Sequence, residues 1–557
     1  MATFTTFNLY TPTIVTLIAG LVYQYLLYPA IISPLSKIPN AHWSCSISPA
    51  WILWARFQSR ENRTLHAAHK QHGPIIRIGP NELSVTSIEG VKTIYQGGFD
   101  KHQWYSVFNN YGVPCTFSSL PSKLHSQRKR MVSHVYSKSF IHTSPSLHSQ
   151  AHTILSTRLL PLLHSSTHDS QAPHGVDVHS LFCAAAMDFI SAYCFGLPRS
   201  ADFVRRGAER EHWLAIYMVR KGYGFFAQEL PRLSRFLSVL GVRLTPSWVD
   251  AANRELEAWC KERSDATVRF LDQEKEEVEG EEGVESVVNT ADDPVVVRAL
   301  LAGIEKEYAT YGTESMLYST TIQQRELSVA SEIIDHVLAG QETTGVALTY
   351  LSYHLSQSLD LQRELRQELL TLKPSMRYVD GDVDRKIEMP DSRQLDNLPI
   401  LHALIRETVR RYAPAGGPEP RVTPSPSCHI GPYEVPGGVR VSASVYNVHR
   451  DETVFPDPEK WDHTRWLRHQ VAAEPDNPNG DDEKIDVNRH FWGFSSGGRM
   501  CLGSNFAMHD MKLIIAAIYS NYTTHIVDDE GIEPTDAYTG HPKSNSLYLS
   551  FERAAED

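Results

Sequence analysis

Phe494, Gly497, Arg499, Cys501 and Gly503 lie within ten positions of one another, so one cysteine stands in a glycine-rich loop that runs straight into an apolar, helix-forming stretch. A sulfur anion needs hydrogen-bond donors and positive potential, and a loop whose backbone N–H groups converge before a helix N-terminus supplies both. Glycines at 497, 498 and 503 let the backbone approach a flat partner where side chains would collide. Arg499 can reach an anionic edge of that partner. The competing reading is an ordinary buried thiol, since free cysteine is among the most buried residue types.

A second constellation is Ala339-Gly340-Gln341-Glu342-Thr343-Thr344, inside a helix expected over 333–355. A glycine there costs about 1 kcal/mol relative to alanine, so something approaches or distorts the helix at that point. Glu342 offers a carboxyl and Thr343 a hydroxyl that can pass protons; the plain alternative is threonine hydroxyls bonded back to the preceding turn. Glu407 and Arg410 are three apart and share a helical face, as His125 and Lys129 do at four apart.

The spacing F-x-x-G-x-R-x-C-x-G resembles the haem-binding loop of the haem-thiolate monooxygenases, the cytochrome P450 superfamily, and all five positions match. The resemblance implies haem b (iron protoporphyrin IX) with Cys501 as axial ligand of the iron, and thiolate ligation favours O–O cleavage. The stretch 339–344 resembles the family's oxygen-binding helix motif, A/G-G-x-D/E-T-T, which implies Glu342 and Thr343 as a proton relay. Residues 455–466 resemble the family's meander, F-x-x-P-x-x-F-x-P-x-R-F/W, with Trp461 and His463 departing from the usual phenylalanine and proline. By that resemblance Glu407, Arg410 and Arg465 form a buried charge triad that is structural, not catalytic.

His125 and Lys129 stand where the family has W-x-x-x-R on a helix that contacts haem propionates, and Arg421 stands where another propionate contact is usual. The tryptophan and arginine are replaced, so which of Arg128, Lys129 and Arg130 meets the propionate stays open. A solvated basic patch docking an acidic electron donor is a further reading of this helix.

These motifs need positioning elements. The 557 residues are 41% apolar and 21% charged, ample for a core, and the resemblance makes them one large catalytic fold (37–557) behind a membrane anchor (1–36). Helical periodicity is strongest over 326–359, 361–370 and 398–412. Strand-like runs are short, at 75–78, 83–86, 439–446 and 547–551. Together they predict a mostly helical α+β fold with small sheets. The Glu-rich 273–285 reads as a solvated loop and 472–486 as an insertion before the cysteine loop.

No charge precedes Lys37, and 14–32 is a 19-residue apolar run, long enough to span a bilayer; the alternative is a buried N-terminal helix. Lys37, Arg56, Arg60 and Arg63 follow, which puts the downstream side in the cytoplasm. The resemblance adds a single-pass anchor in the endoplasmic reticulum membrane. Seven scattered cysteines without C-x-x-C read as reduced thiols, and 26 histidines form no H-E-x-x-H set, so no second metal is expected. A net charge of −12 gives no basic footprint for nucleic acid.

Trp104, Tyr105, Phe108, Tyr111 and Phe117 crowd one segment, and Tyr223, Phe225 and Phe226 another, where family members contact substrate; ordinary core aromatics are the alternative. With 415–417 and 538–540 they would line a roomy pocket suited to a rigid polycyclic or terpenoid-sized molecule. The function implied is insertion of one oxygen atom from O2 into a hydrophobic small molecule such as a fungal polyketide or terpenoid intermediate. Electrons would come from NADPH through a separate cytochrome P450 reductase. The same chemistry could end in phenol coupling or desaturation. An O2-independent isomerase or dehydratase is disfavoured by the acid–threonine pair, and a haem sensor without turnover is a third class.

Overall fold

A computed structural model describes residues 3–167, 175–280, 289–377, 387–471 and 487–554. Its centre is the 32-residue helix Arg325–Ser356, and the 18-residue helix Val178–Phe195 packs along it. Val178–Phe195 is largely apolar all round because it is enclosed on nearly every side, and its buried Asp188 is paired with Arg158 at 2.9 Å. Asp177 caps its start by accepting from the His179 and Ser180 N–H groups, and Gly196, at φ 76°, ends it.

Two glycines let these helices touch. A Cβ on Gly340 would stand 2.9 Å from Ile190 Cγ1, and one on Gly345 2.5 Å from Cys183 Sγ. The glycine predicted to mark a close approach thus meets a neighbouring helix. Pro399–Arg411 and Ser504–Asn521 pack on the other side, the latter burying a continuous apolar run from Leu513 to Ile518. Each such Leu or Ile contributes about 1.5–3 kcal/mol.

The sheets are small. A five-stranded sheet runs in the order Ile75–Gly79, Glu82–Val85, Arg440–Ser442, Arg421–Val422, Asp100–Lys101. Its register sets Lys101 directly opposite Arg421, two cations from distant parts of the chain. Val176–Asp177, Tyr548–Arg553 and Tyr522–Asp528 form a three-stranded sheet, and Ser427–Ile430 pairs with Tyr433–Pro436. The mostly helical α+β architecture is as expected.

Two local expectations are corrected. The run 439–446 is a strand only at Arg440–Ser442; the Ser444 hydroxyl then accepts from the Asn447 N–H and starts the helix Val445–Val448. Residues 273–280 are the end of the helix Ser247–Gly280, not a loop. Glu and Lys are good helix formers, and Glu274 is held by Arg298 at 2.8 Å. Residues 281–285 and the insertion at 472–486 lie outside the described residues.

At the N-terminus Pro12–Ile32 forms a largely apolar helical span of 21 residues, none of them buried, which removes the buried-helix alternative. Arg77, itself fully buried, donates to the Pro29 carbonyl at 2.8 Å and fixes the end of this helix to the body.

Candidate active site

Cys501 follows the short turn Gly497–Arg499 and precedes the helix Ser504–Asn521, and its N–H donates to the Phe494 carbonyl at 2.9 Å. Its side chain is exposed, yet burial is the chief influence on its thiol. Both hold if the surface it exposes is the wall of an interior void. Burial pushes the thiol up, opposed by the Gly503 N–H and the Lys129 ammonium. A metal cation facing the sulfur would reverse that balance.

The central helix lies near the same sulfur, since the Asp335 charge is felt there. Ala339 is exposed and Asp335 and Thr343 are partly so, although Ile333, Ile334, Val337 and Val346 around them are buried. Positions 335, 339 and 343 are spaced by four and share one face. The Thr343 hydroxyl donates back to the Ala339 carbonyl at 2.7 Å, the plain arrangement weighed above, which leaves its oxygen free to accept. Glu342, the next residue back, faces elsewhere. It accepts from the Tyr217 hydroxyl at 2.6 Å and is ion-paired with Lys221, both on the helix Gly207–Lys221. The structure therefore does not bring Glu342 and Thr343 to one point.

Cations gather at one edge. Arg421 is buried, donating to the Tyr105 hydroxyl at 3.0 Å and pairing with Glu419 at 3.2 Å. Arg499 donates to the Ser119 and Leu120 carbonyls at 2.8 and 2.6 Å, while its Nε is buried without a partner. Burial first, then Arg421, pushes Arg499 down to about 10. His125 is buried, with no side-chain hydrogen bond among the described residues, and is pushed down to about 3 by burial, then by Arg499, Lys101 and Lys129. It is therefore a neutral imidazole here, so of the pair sharing a helical face only Lys129 carries charge.

Lys129 donates to the Gly498 and Met500 carbonyls at 3.0 and 3.1 Å, so it braces the cysteine loop. Arg128 donates to the Thr320 hydroxyl at 2.8 Å, and Arg130 is exposed.

Lys101 and Tyr105 complete this edge, and the sequence motifs did not reveal them. Lys101 is buried, donates to the Phe117 carbonyl at 2.5 Å and sits 4.0 and 3.9 Å over the Tyr105 and Phe117 rings. Burial, then Arg421 and Arg499, holds its ammonium well below the usual lysine range. A lysine heading an aromatic-rich segment was the available signal. Arg421 and Lys101 are buried and Arg499 is half-buried beside them, and Glu419 is the one carboxylate paired to them among the described residues, an edge that suits an anionic group. Gly498 and Gly503 have nothing within 4 Å of an added Cβ, which leaves room beside the sulfur. Gly497 is glycine for another reason: its φ is +73° and a Cβ would stand 2.3 Å from the Tyr95 carbonyl oxygen. Taken together, these residues fit a flat group with an anionic edge.

Behind the loop, Arg410 grips Glu407 bidentately at 2.8 and 2.9 Å, both fully buried. Arg465 reaches Glu407 at 3.4 Å, Trp466 Nε1 donates to it at 3.0 Å and the Asp462 N–H at 2.8 Å. Trp461, one of the two departures, donates to Thr408 at 3.1 Å and stacks on His354. The aromatic segments divide. Trp104 meets Tyr538 at 5.0 Å and Phe108 meets Phe117 at 5.1 Å, whereas Phe225 and Phe226 pack on Phe57. Two surface recesses, of about 320 and 600 Å³, contain none of this constellation.

The chain is similar to known proteins over most of its length. The Cytochrome P450 family matches residues 46–548. Cytochrome P450 monooxygenase hkm5 of Aspergillus hancockii is 24% identical, covering 96% of this chain and 94% of its own length. Tryprostatin B 6-hydroxylase of Aspergillus fumigatus is 26% identical over 94% of this chain and 82% of its own. Cytochrome P450 monooxygenase aflV of Aspergillus parasiticus is 26% identical over 89% and 86%. With nine-tenths of its length under that match, the chain belongs to the cytochrome P450 family and is an enzyme of its monooxygenase class.

Proposed function

We propose that this enzyme is a membrane-anchored haem-thiolate monooxygenase that inserts one oxygen atom from O2 into an apolar fungal secondary-metabolite intermediate. Its electrons come from NADPH through a separate NADPH-cytochrome P450 reductase. The exposed apolar helix Pro12–Ile32 supports an anchor in the endoplasmic reticulum membrane with the catalytic domain on the cytosolic side. The observation that carries the reading is Cys501 in its glycine loop, exposed although burial dominates its thiol, and near enough to Lys129 and to Asp335 on the central helix for their charges to be felt at the sulfur.

Haem b, when bound, supplies the redox chemistry that activates oxygen, with a thiolate ligand favouring O–O cleavage. Cys501 is the residue to hold the iron. Arg421, Arg499, Lys101 and the neutral His125 are placed to receive the propionate edge, and Lys129 keeps the cysteine loop in register through its two carbonyl contacts. Thr343 presents a hydroxyl oxygen at the void. Glu342 holds a proton-accepting carboxylate one residue away, linked through Lys221, whose side chain is 22% exposed, toward solvent. The aromatic wall of Trp104, Phe108 and Phe117 keeps water from the substrate side.

The test is spectroscopic. Reduced protein with CO should show the long-wavelength Soret band of thiolate ligation, and Cys501→Ser should abolish it; a histidine-type band in the wild type rejects the proposal.

A further inference from the structure

Tyr136, His336 and Glu332 form a buried polar chain apart from the Glu342 and Thr343 pair. The Tyr136 hydroxyl lies 2.9 Å from His336 Nδ1, and His336 Nε2 lies 3.3 Å from a Glu332 oxygen. Tyr136 is 3% exposed, and the His336 and Glu332 side chains are 7% and 5% exposed, so water does not compete for these contacts. Glu332 and His336 are four apart on the central helix and so lie one above the other. Tyr136 comes from the turn after the helix Ser122–Val132. Its ring meets His336 at 5.4 Å and Phe506 at 6.2 Å, and its carbonyl accepts from the Asn505 side chain at 3.1 Å. Asn505 and Phe506 belong to the first turn of the helix that follows Cys501, and the Cys501 charge is felt at the phenol. The phenol therefore stands close to the sulfur.

The direction of the chain follows from Glu332. Burial works against its charge, but His336 and the Thr116 N–H, which donates at 2.7 Å, outweigh burial and hold the carboxyl below its usual value. A carboxylate beside Nε2 keeps the ring proton on that nitrogen, which leaves Nδ1 as the acceptor for the Tyr136 hydroxyl. The phenol thus points its proton at a base. Burial, then Cys194 and Tyr193, pushes the phenol well above its usual range, so it does not become a phenolate. A phenol in that position can give up an electron only if its proton leaves in the same event, and His336 is placed to take it. The imidazolium formed would be balanced at once by Glu332, as a carboxylate does for the histidine of a catalytic triad.

We propose that Tyr136 is a redox-active tyrosine that gives one electron to a haem oxidised by peroxide when no substrate is in place, its proton passing to His336. This rests on the haem-thiolate reading above and adds a protective reaction to it. In the step one electron leaves the phenol for the haem, the O–H bond breaks, and the proton bonds to His336 Nδ1. The products are a neutral phenoxyl radical, an imidazolium paired with Glu332, and a haem reduced by one electron. Hydrogen peroxide is the oxidant. Restoring the phenol takes one electron from a donor such as ascorbate and the proton back from His336. The porphyrin and Cys501 are spared the oxidation that Tyr136 takes up.

The test mixes the full-length, substrate-free holoenzyme with hydrogen peroxide, freezes it rapidly and reads radicals by electron paramagnetic resonance. The wild type should give a tyrosyl signal that narrows when the protein carries ring-deuterated tyrosine. Tyr136→Phe, which keeps the ring and its packing, should lose that signal and bleach its haem faster under peroxide. His336→Phe should lose the signal although Tyr136 is still present, a result that a merely structural hydrogen bond would not give. Tyr193→Phe, whose ring lies 5.7 Å from Tyr136, should retain it. The assignment is overturned by the absence of a tyrosyl signal from the wild type, by its survival in Tyr136→Phe, by undiminished strength in His336→Phe, or by its loss in Tyr193→Phe. The reduced CO band is recorded first on every protein. Its absence from the wild type sinks the haem-thiolate reading, whereas its presence without a Tyr136 radical sinks this proposal alone.

Discussion

The carboxylate of Glu342 is ion-paired to the ammonium of Lys221 across two helices, and the Tyr217 hydroxyl holds its other oxygen at 2.6 Å. Burial pushes Lys221 down to about 7, and the carboxylate against it works the other way. On the proposed reading, a proton passed by Glu342 would enter from the Lys221 side, on a different helix face from Thr343. Glu342→Gln should lower the rate of NADPH oxidation with reductase and substrate by about 10²-fold, the usual scale of a lost general acid. Thr343→Ala should keep NADPH consumption and divert it to peroxide. An unchanged rate in Glu342→Gln removes it from the relay. Lys221→Met should destabilise the fold by leaving a buried carboxylate unpaired, and the double variant Lys221→Met/Glu342→Gln should recover much of that loss in a denaturation cycle.

Asp335 gives a pH dependence with a definite sign. Its carboxyl is raised to about 7 by burial, whereas in the unfolded chain it titrates near 4. Between those values the folded state holds a proton that the unfolded state has released, so its contribution to stability is present below about pH 4 and lost as pH rises through about 7. Asp335→Asn lacks this loss. The variant's stability relative to wild type should rise by on the order of 2–3 kcal/mol between pH 5 and pH 8. Thermal or urea midpoints of ligand-free protein at the two pH values measure it, and a constant gap would mean an ordinary carboxyl.

The charge triad is not symmetrical, and its variants should rank accordingly. Arg410 holds Glu407 through two short bonds and also donates to the His449, Pro458 and Lys460 carbonyls. Arg465 reaches Glu407 only at 3.4 Å. Arg410→Ala should cost about 3–5 kcal/mol, as expected when a buried carboxylate loses its partner, and Arg465→Ala clearly less. Equal costs in urea denaturation would contradict this ranking.

How much of this was legible in the sequence depends on how local each feature is. The central helix could be read from its apolar period, and the cysteine loop from a spacing confined to ten positions. The end of the helix Ser247–Gly280 was misread because charge density was weighed above the helix propensity of Glu and Lys, and because Arg298, which holds Glu274, lies beyond the run. Lys101 gains its meaning from a strand register that sets it opposite Arg421, and Glu342 from a helix whose own sequence carries no motif. Asp335 stands with Glu332 and His336 as three polar residues among Ile333, Ile334 and Val337, a pattern that does not by itself say which of them faces a space.

Gly497 and Gly498 are adjacent in one motif, yet the structure gives them opposite tolerances. Gly497 has φ +73°, and an added Cβ would stand 2.3 Å from the Tyr95 carbonyl oxygen. Tyr95 cannot retreat: its hydroxyl donates to the Glu419 carbonyl at 2.7 Å and accepts from the Ala443 N–H at 2.8 Å, and its ring meets Trp492 at 4.7 Å. Gly498 has open space where a Cβ would go. Gly497→Ala should therefore cost about 2 kcal/mol or more, from left-handed backbone strain plus an unrelieved clash. Gly498→Ala should stay within about 0.5 kcal/mol in the ligand-free chain. Because the turn at Gly497 sets the approach to Cys501, Gly497→Ala should also lower the fraction of protein giving the reduced CO band. Equal urea midpoints for the two variants would show that the loop is not pinned against Tyr95, and the bracing of Cys501 would then rest on Lys129 alone.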